Sequence, residues 1–445
     1  MTASVGSRSL DEIREGLNPA DTGERLHSLV REMYPFCRSI TGDGVRRTIR
    51  ALQALAPIEV HEVPTGTQAF DWTVPREWNI RDAYISNARG ERVVDFRKHN
   101  LHVVSYSVPI HTRLRLGDLR PHLHSLPGQP DLIPYRTSYY KETWGFCLPH
   151  RLLESLPDEE YDVCIDATLD EGSLTYGECV VRGSTGNEVL ISCHTCHPSL
   201  CNDNLSALAC AALLAEALGA TSPRYTYRFL FAPGTIGAIT WLAAHEQEVG
   251  RIRHGLVLTC LGDPGSFTYK RSRRGQSDTA LIVEHVLAHA GHPSQVRDFS
   301  PYGYDERQYC SPGFDLPVGR LSRSVHGEFP EYHTSADNPD FVTPAALAES
   351  YALLLTIVSA FEENRSYVNL NPKCEPQLGR RGLYASVGGT GRAVREMAML
   401  WVLNGSDGAT SLLDVARRAM LPFDAVRDAA RLLERHGLLA PCDGH

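Results

Sequence analysis

The chain has 445 residues, enough for two or three domains with buried cores, and its 42% hydrophobic and 22% charged content is that of an ordinary globular protein. No continuous apolar run reaches the roughly 18 residues of a membrane span, and a formal net charge of −9 argues against a general nucleic-acid binder. The first 25 residues lack the basic start and apolar centre of a secretory signal, which predicts a cytoplasmic protein whose 12 cysteines stay reduced. In chain order, residues 1–56 carry helical spacing at Leu26, Leu29, Val30 and Met33 and a second helix around 45–55. Residues 57–150 change to short β-type runs, such as "IEVHEV" and "LHVVSYSVPI", broken by Gly, Pro and Asn, and read as an inserted small β-rich domain.

Residues 151–375 alternate strand and helix: "EVLISC", "NLSALACAALLAEALGA", "RYTYRFLFAP", "TIGAITWLAAHEQEV", "HGLVLTC" and "DTALIVEHVLAHAG". This alternation predicts an α/β fold, a mainly parallel sheet flanked by helices, with chemistry sought at the carboxyl ends of its strands. Residues 376–445 give three helices and a short apolar strand, the pattern of a C-terminal winged-helix domain. Arg427, Arg431 and Arg435 share one helix face there. Asp424, Asp428 and Glu434 interleave with them, so the face reads as solvated, or as a dimerisation or lid element, rather than a DNA contact.

The stretch "CHTCHPSLCNDNLSA" concentrates the chemistry. His194 follows a strand directly, His197 comes three residues later, and Asp203 stands just before a helix, so imidazole and carboxylate converge as zinc ligands do. Asp203 or Asn204 as a mere helix cap is the plain alternative. Asp263 follows another strand, and "GEFPEYHTSADN" supplies Glu331, Tyr332, His333 and Asp337, with His333 a further imidazole and Asp337 or Glu331 an orienting carboxylate. Asp305, Glu306 and Gln308 fall on a loop suited to substrate contacts, while Arg323 reads either as a substrate contact or as an ion-pair partner. The three cysteines Cys193, Cys196 and Cys201 read as structural thiols, because no second pair stands at usable spacing for a zinc knuckle.

Together with "YPFCRSITGDGVR", "DERQYCSPGFDLPVGRL" and "CEPQLGRRGLY", these motifs resemble the zinc aminopeptidase superfamily that includes glutaminyl cyclases. The narrower resemblance is to bacterial proteins with an aminopeptidase-like catalytic domain, an inserted β domain and a winged-helix tail. It implies a site for zinc or another divalent ion, one or two per chain, with His194, Asp203, Asp263 and His333 as ligands and His197 competing with His194. It also implies a metal-activated water attacking an amide carbonyl.

One departure stands out: relatives read Pro-Glu-Thr-Ile-Gly where this chain has Pro233, Gly234, Thr235, Ile236 and Gly237. The glutamate would shuttle the proton, and losing such a group typically costs about 10² to 10⁴ in rate. Glu306, Glu331 and Asp305 are the carboxylates that could replace it. The resulting expectation is a metal-dependent amidohydrolase acting on a small molecule or short peptide, alone or as a homo-oligomer. The alternative is a non-hydrolytic descendant, a repurposed biosynthetic enzyme or a binding or regulatory protein using the same pocket.

Overall fold

A computed structural model describes residues 8–384 and 390–442. The chain divides into two compact units, residues 1–275 with 295–352, and residues 276–294 with 353–445. The first is built on an eight-stranded sheet. Its strands run, edge to edge, Glu59–Pro64, Ser173–Val181, Thr226–Ala232, Glu188–His194, Ile252–Leu258, Val318–Ser322, Phe267–Lys270 and Ser294–Arg297.

The four strands from Thr226–Ala232 across to Val318–Ser322 are parallel neighbours, and the strands flanking them pair antiparallel. Every residue of Glu188–His194 and Thr226–Ala232 is buried, as expected for strands covered on both faces. The covering helices Ala207–Gly219 and Ile236–Ala244 are apolar on most of their surface and correspondingly buried. From Glu188–His194 the chain moves to Thr226–Ala232 on one side and then crosses to Ile252–Leu258 on the other. That reversal opens a crevice at the carboxyl end of Glu188–His194, where His194 is the last residue.

A second, four-stranded antiparallel sheet is formed by Arg92–Asp95, Glu77–Ser86, Glu160–Asp170 and Ile110–Arg115. The strand "IEVHEV" belongs to the large sheet, as its edge beside Ser173–Val181. Strand Glu160–Asp170, whose alternate residues are buried, belongs to the small one.

The second unit holds helices Thr390–Gly405, Leu412–Ala419 and Phe423–Arg435 and a three-stranded sheet of Asp407–Ser411, Ser366–Asn369 and Leu439–Pro441. Gly437, at φ +64°, turns the chain from the last helix into the last strand, a left-handed conformation that glycine adopts without steric cost. Arg427 is buried and paired with Asp424 and Asp428, and Arg431 is paired with Glu363, so two of the three aligned arginines are spent within this unit. Helix Pro344–Glu363 is the one described helix long and apolar enough to cross a bilayer by composition, and most of it is buried inside the protein.

Candidate metal centre

His194 leaves the end of its strand facing the tight turn Cys201–Ser206, which carries Asp203 into the crevice. Asp203 is fully buried, and three imidazoles gather on its carboxylate. His194 Nε2 lies 2.8 Å from Oδ1, while His333 Nε2 and His197 Nε2 lie 3.1 and 3.8 Å from Oδ2. Burial alone would push the Asp203 carboxyl up. The adjoining imidazoles of His197 and His194 and the hydrogen bonds from His194 and His333 outweigh it and hold the group well below the usual carboxylate range. Burial holds His197 well below its ordinary value, so it stays a neutral imidazole with a free lone pair.

His194, His197 and Asp203 each offer a ligand atom within 4.8 Å of the others. Imidazole nitrogens around an ionised, dehydrated carboxylate are the donor set that zinc and similar divalent ions take, so the residues present fit such an ion. Of the competing histidines, both belong to the cluster.

The surrounding residues fix these ligands. The Asp337 carboxylate accepts the backbone N–H groups of Cys201, Asn202 and Asp203 at 3.1, 2.6 and 3.0 Å. It therefore holds the turn that presents Asp203, and does not orient His333 as the sequence suggested. Replacing Asp337 by Ala would leave the buried N–H groups of Asn202 and Asp203 unsatisfied, while Cys201 keeps the Asp337 carbonyl; we expect a loss of about 3 kcal/mol in urea unfolding, with a fall in metal affinity.

His333, at φ +54°, is packed between the rings of Tyr332, stacked at 3.9 Å, and Tyr135, edge-on at 4.9 Å. Tyr304 stacks on His194 at 4.7 Å. Asn204 donates to the His194 and Leu258 carbonyls, and Arg38 donates through Nε to the His197 carbonyl at 2.8 Å. Asn204 had been read only as a cap. Arg38 had no assigned role, although its motif "YPFCRSITGDGVR" marked the segment.

Four other candidates find different places. Asp263 lies outside the histidine cluster. Its Oδ2 accepts from Asn202 at 2.8 Å, and its Oδ1 accepts from Ser324 Oγ and Gly265 N–H at 2.6 and 2.7 Å, so it braces the turn as a hydrogen-bond hub rather than offering a ligand atom. Glu306 is fully buried against Lys270 at 3.0 Å, with Arg320 at 3.8 Å, and does not line the crevice. Because a buried pair stripped of one partner leaves an uncompensated charge, Glu306→Ala should cost about 3 to 5 kcal/mol in thermal or urea unfolding. Glu331 is also absent from the crevice wall; what it contributes is a carbonyl accepting from Thr334. Arg323 pairs with Glu349 at 3.0 Å and stacks over Phe267, an internal role that takes it out of substrate binding.

The crevice is a cavity of about 720 Å³ whose wall includes the three histidines, Gly234, Asp305 and Gln308. A Cβ built on Gly234 would stand 3.2 Å from the His194 Cβ and 3.5 Å from both carboxylate oxygens of Asp305. Asp305 thus brings a carboxylate, from the opposite loop, to the edge of the space that a side chain at position 234 would enter. Burial pushes its carboxyl up to about 7, with His194 opposing the rise, which puts the group in the range where a proton is readily taken up and released near neutrality. Aromatic rings of Tyr135, Tyr139, Tyr140, Trp72 and Phe299 also line the cavity.

Residues 27–364 match the family described as Domain of unknown function (DUF4910), and residues 365–441 match a winged helix-turn-helix family. A Clostridium acetobutylicum protein is 51% identical over 432 residues, 97% of this chain and 99% of its own length. Its name assigns it, provisionally, to polysaccharide biosynthesis and gives it an aminopeptidase-like domain. A crystal structure from Clostridium acetobutylicum, named provisionally as a peptidase, is 50% identical and superposes with TM-score 0.93 over 97% of this chain and 100% of that one. The zinc aminopeptidase BSAP of Bacillus subtilis is 12% identical with TM-score 0.56, covering 76% of this chain and 95% of its own. A Peptidase M28 precursor from Shewanella amazonensis is 15% identical with TM-score 0.53, covering 80% and 97%. These last two likenesses are of fold, in agreement with the large sheet flanked by helices described above.

Proposed function

The chain belongs to the DUF4910 family, with an aminopeptidase-like fold and a winged-helix tail, and from that premise we propose that it is a metal-dependent amidohydrolase cleaving an amide bond of a small molecule. The observation that carries this reading is the convergence of His194, His197 and His333 on the buried Asp203 at the carboxyl end of the central strand, with a cavity of about 720 Å³ above it. A divalent ion held there, zinc by its donor set, would supply a Lewis acid that polarises an amide carbonyl and acidifies water. Asp305, from the opposite wall, takes the proton that the missing glutamate would have taken and returns it to the leaving amine. Gln308 is within the same wall and can donate to a substrate carbonyl, while the aromatic side chains exclude bulk water.

The half-exposed pair Trp72 and Tyr140, rings 5.4 Å apart at the cavity wall, favours a flat or sugar-like substrate, and the name of the clostridial relative points the same way. A second reading, a non-hydrolytic descendant using the same pocket, is favoured by Gly234 alone. The two separate in one assay. Purified protein is offered a panel of N-acetylated amino sugars and acyl amides, stripped with chelator, then resupplied with zinc. Amide cleavage that disappears and returns with the metal supports the hydrolase. Stoichiometric metal without turnover of any member supports the descendant.

A further inference from the structure

The cavity wall carries a cation that, among the described residues, has no ion-pair contact. Arg307, on the short turn Glu306–Tyr309, lines the cavity next to Thr235 and Asp305. Its Nη2 approaches Thr235 Oγ1 at 3.4 Å, and its Nε is buried with no hydrogen-bond partner. Among the described residues no carboxylate comes within ion-pair distance of it, and Asp305 acts on it only through space. Such a donor, withdrawn from water and unmatched, is costly to maintain unless something else supplies the acceptor.

A second cation of the wall, Arg273, is also under-neutralised. It shares one carboxylate, that of Asp315, with Arg274, at 3.1 and 3.5 Å. Positive charge is therefore in surplus on this side of the cavity, a few residues from where the amide would react. Arginine presents a planar fork that accepts a carboxylate through paired hydrogen bonds, and a guanidinium inside a cavity is dehydrated enough for such bonds to count.

We propose that Arg307, with Arg273 on the outer side, forms a subsite for a carboxylate carried by the substrate, so that the amide cleaved belongs to an acidic molecule. The inference rests on the cavity being the substrate site of the reading above. A singly charged group is favoured over a phosphate dianion because Asp305 stands on the same wall, and a second negative charge there would meet it without a further unpaired cation to offset it.

The test compares hippurate, which has an amide, an aromatic ring and a carboxylate, with hippuramide, its neutral counterpart, and with phenyl phosphate. Binding to the full chain as purified is followed by calorimetry, for the wild type, Arg307→Gln and Arg307→Lys. Hippurate should bind the wild type about tenfold more tightly than hippuramide, as expected for one charge-assisted contact. Arg307→Gln should erase that preference while leaving hippuramide affinity unchanged, and Arg307→Lys should retain part of it. Equal affinities in the wild type, a preference that survives Arg307→Gln, or binding of neither compound at millimolar concentration would overturn the proposal. Phenyl phosphate binding more tightly than hippurate would overturn the carboxylate assignment. Because the readout is binding and not turnover, a hippurate preference in a protein that hydrolyses nothing would sink the hydrolase reading and leave the subsite standing. Metal-dependent hydrolysis with no such preference would do the reverse.

Discussion

Asp203→Ala should purify without metal and should lose amide cleavage by at least about three orders of magnitude. Among the described residues, Asp203 is the one carboxylate on which His194, His197 and His333 all converge. Removing it takes away both a ligand and the negative charge that offsets a divalent cation in a buried site, and the three imidazoles alone would have to hold the ion against that loss. Asp203→Asn keeps the shape and a carbonyl oxygen but not the charge, so its metal affinity should fall well below wild type while its fold, followed by circular dichroism, stays intact. Metal analysis of the two variants beside wild type separates the charge from the packing. Wild-type metal content in Asp203→Ala would mean that the ion, if any, sits elsewhere.

Asp305→Asn should lower kcat by about 10² to 10⁴ with metal content and substrate KM little changed, the pattern of a lost proton carrier rather than a lost binding group. The pH profile should report the same residue. Burial holds the Asp305 carboxyl up to about 7. The ionised form is the one that accepts a proton, so activity should climb as pH rises through that region and level off above it, and the Asn variant should lack this limb.

Gly234→Glu gives a sharper contrast. In the wild-type background the Cβ of the new side chain would lie 3.5 Å from both oxygens of Asp305, and its carboxylate would repel that of Asp305, so placing a glutamate here should reduce activity, not raise it. In the Asp305→Asn background the clash of charges is gone, and Gly234→Glu should recover part of the lost rate. Recovery in neither background would remove Asp305 from the role assigned to it.

Local sequence carried the fold well, for a physical reason. Strands Glu188–His194 and Thr226–Ala232 are buried on both faces and so read as mainly apolar runs, and the helices that cover them are mainly apolar. His194 and Asp203 were legible for the same reason, since each lies at a boundary that local pattern marks: a strand end and a helix start. What local pattern could not show is which of two adjacent carboxylates faces a cavity. Asp305 and Glu306 are neighbours in sequence, yet one lines the crevice and the other is drawn inward by Lys270, which is remote in the chain. The same holds for Asp263. It follows a strand as a ligand would, but its oxygens are taken by Asn202, Ser324 and Gly265. Arg38 acts on a carbonyl 159 residues away, a relation that no spacing rule contains. Gly234 drew notice through the resemblance of its motif, whereas the carboxylate opposite it became visible only through the fold.

The central claim is that one buried carboxylate and its histidines form a metal site, and anomalous diffraction at the zinc edge from crystals of zinc-supplemented protein tests it most directly. A peak among His194, His197, Asp203 and His333, absent from crystals of Asp203→Ala, is the predicted result. No peak there in well-ordered wild-type crystals, with those side chains bonded to one another instead, would contradict the account.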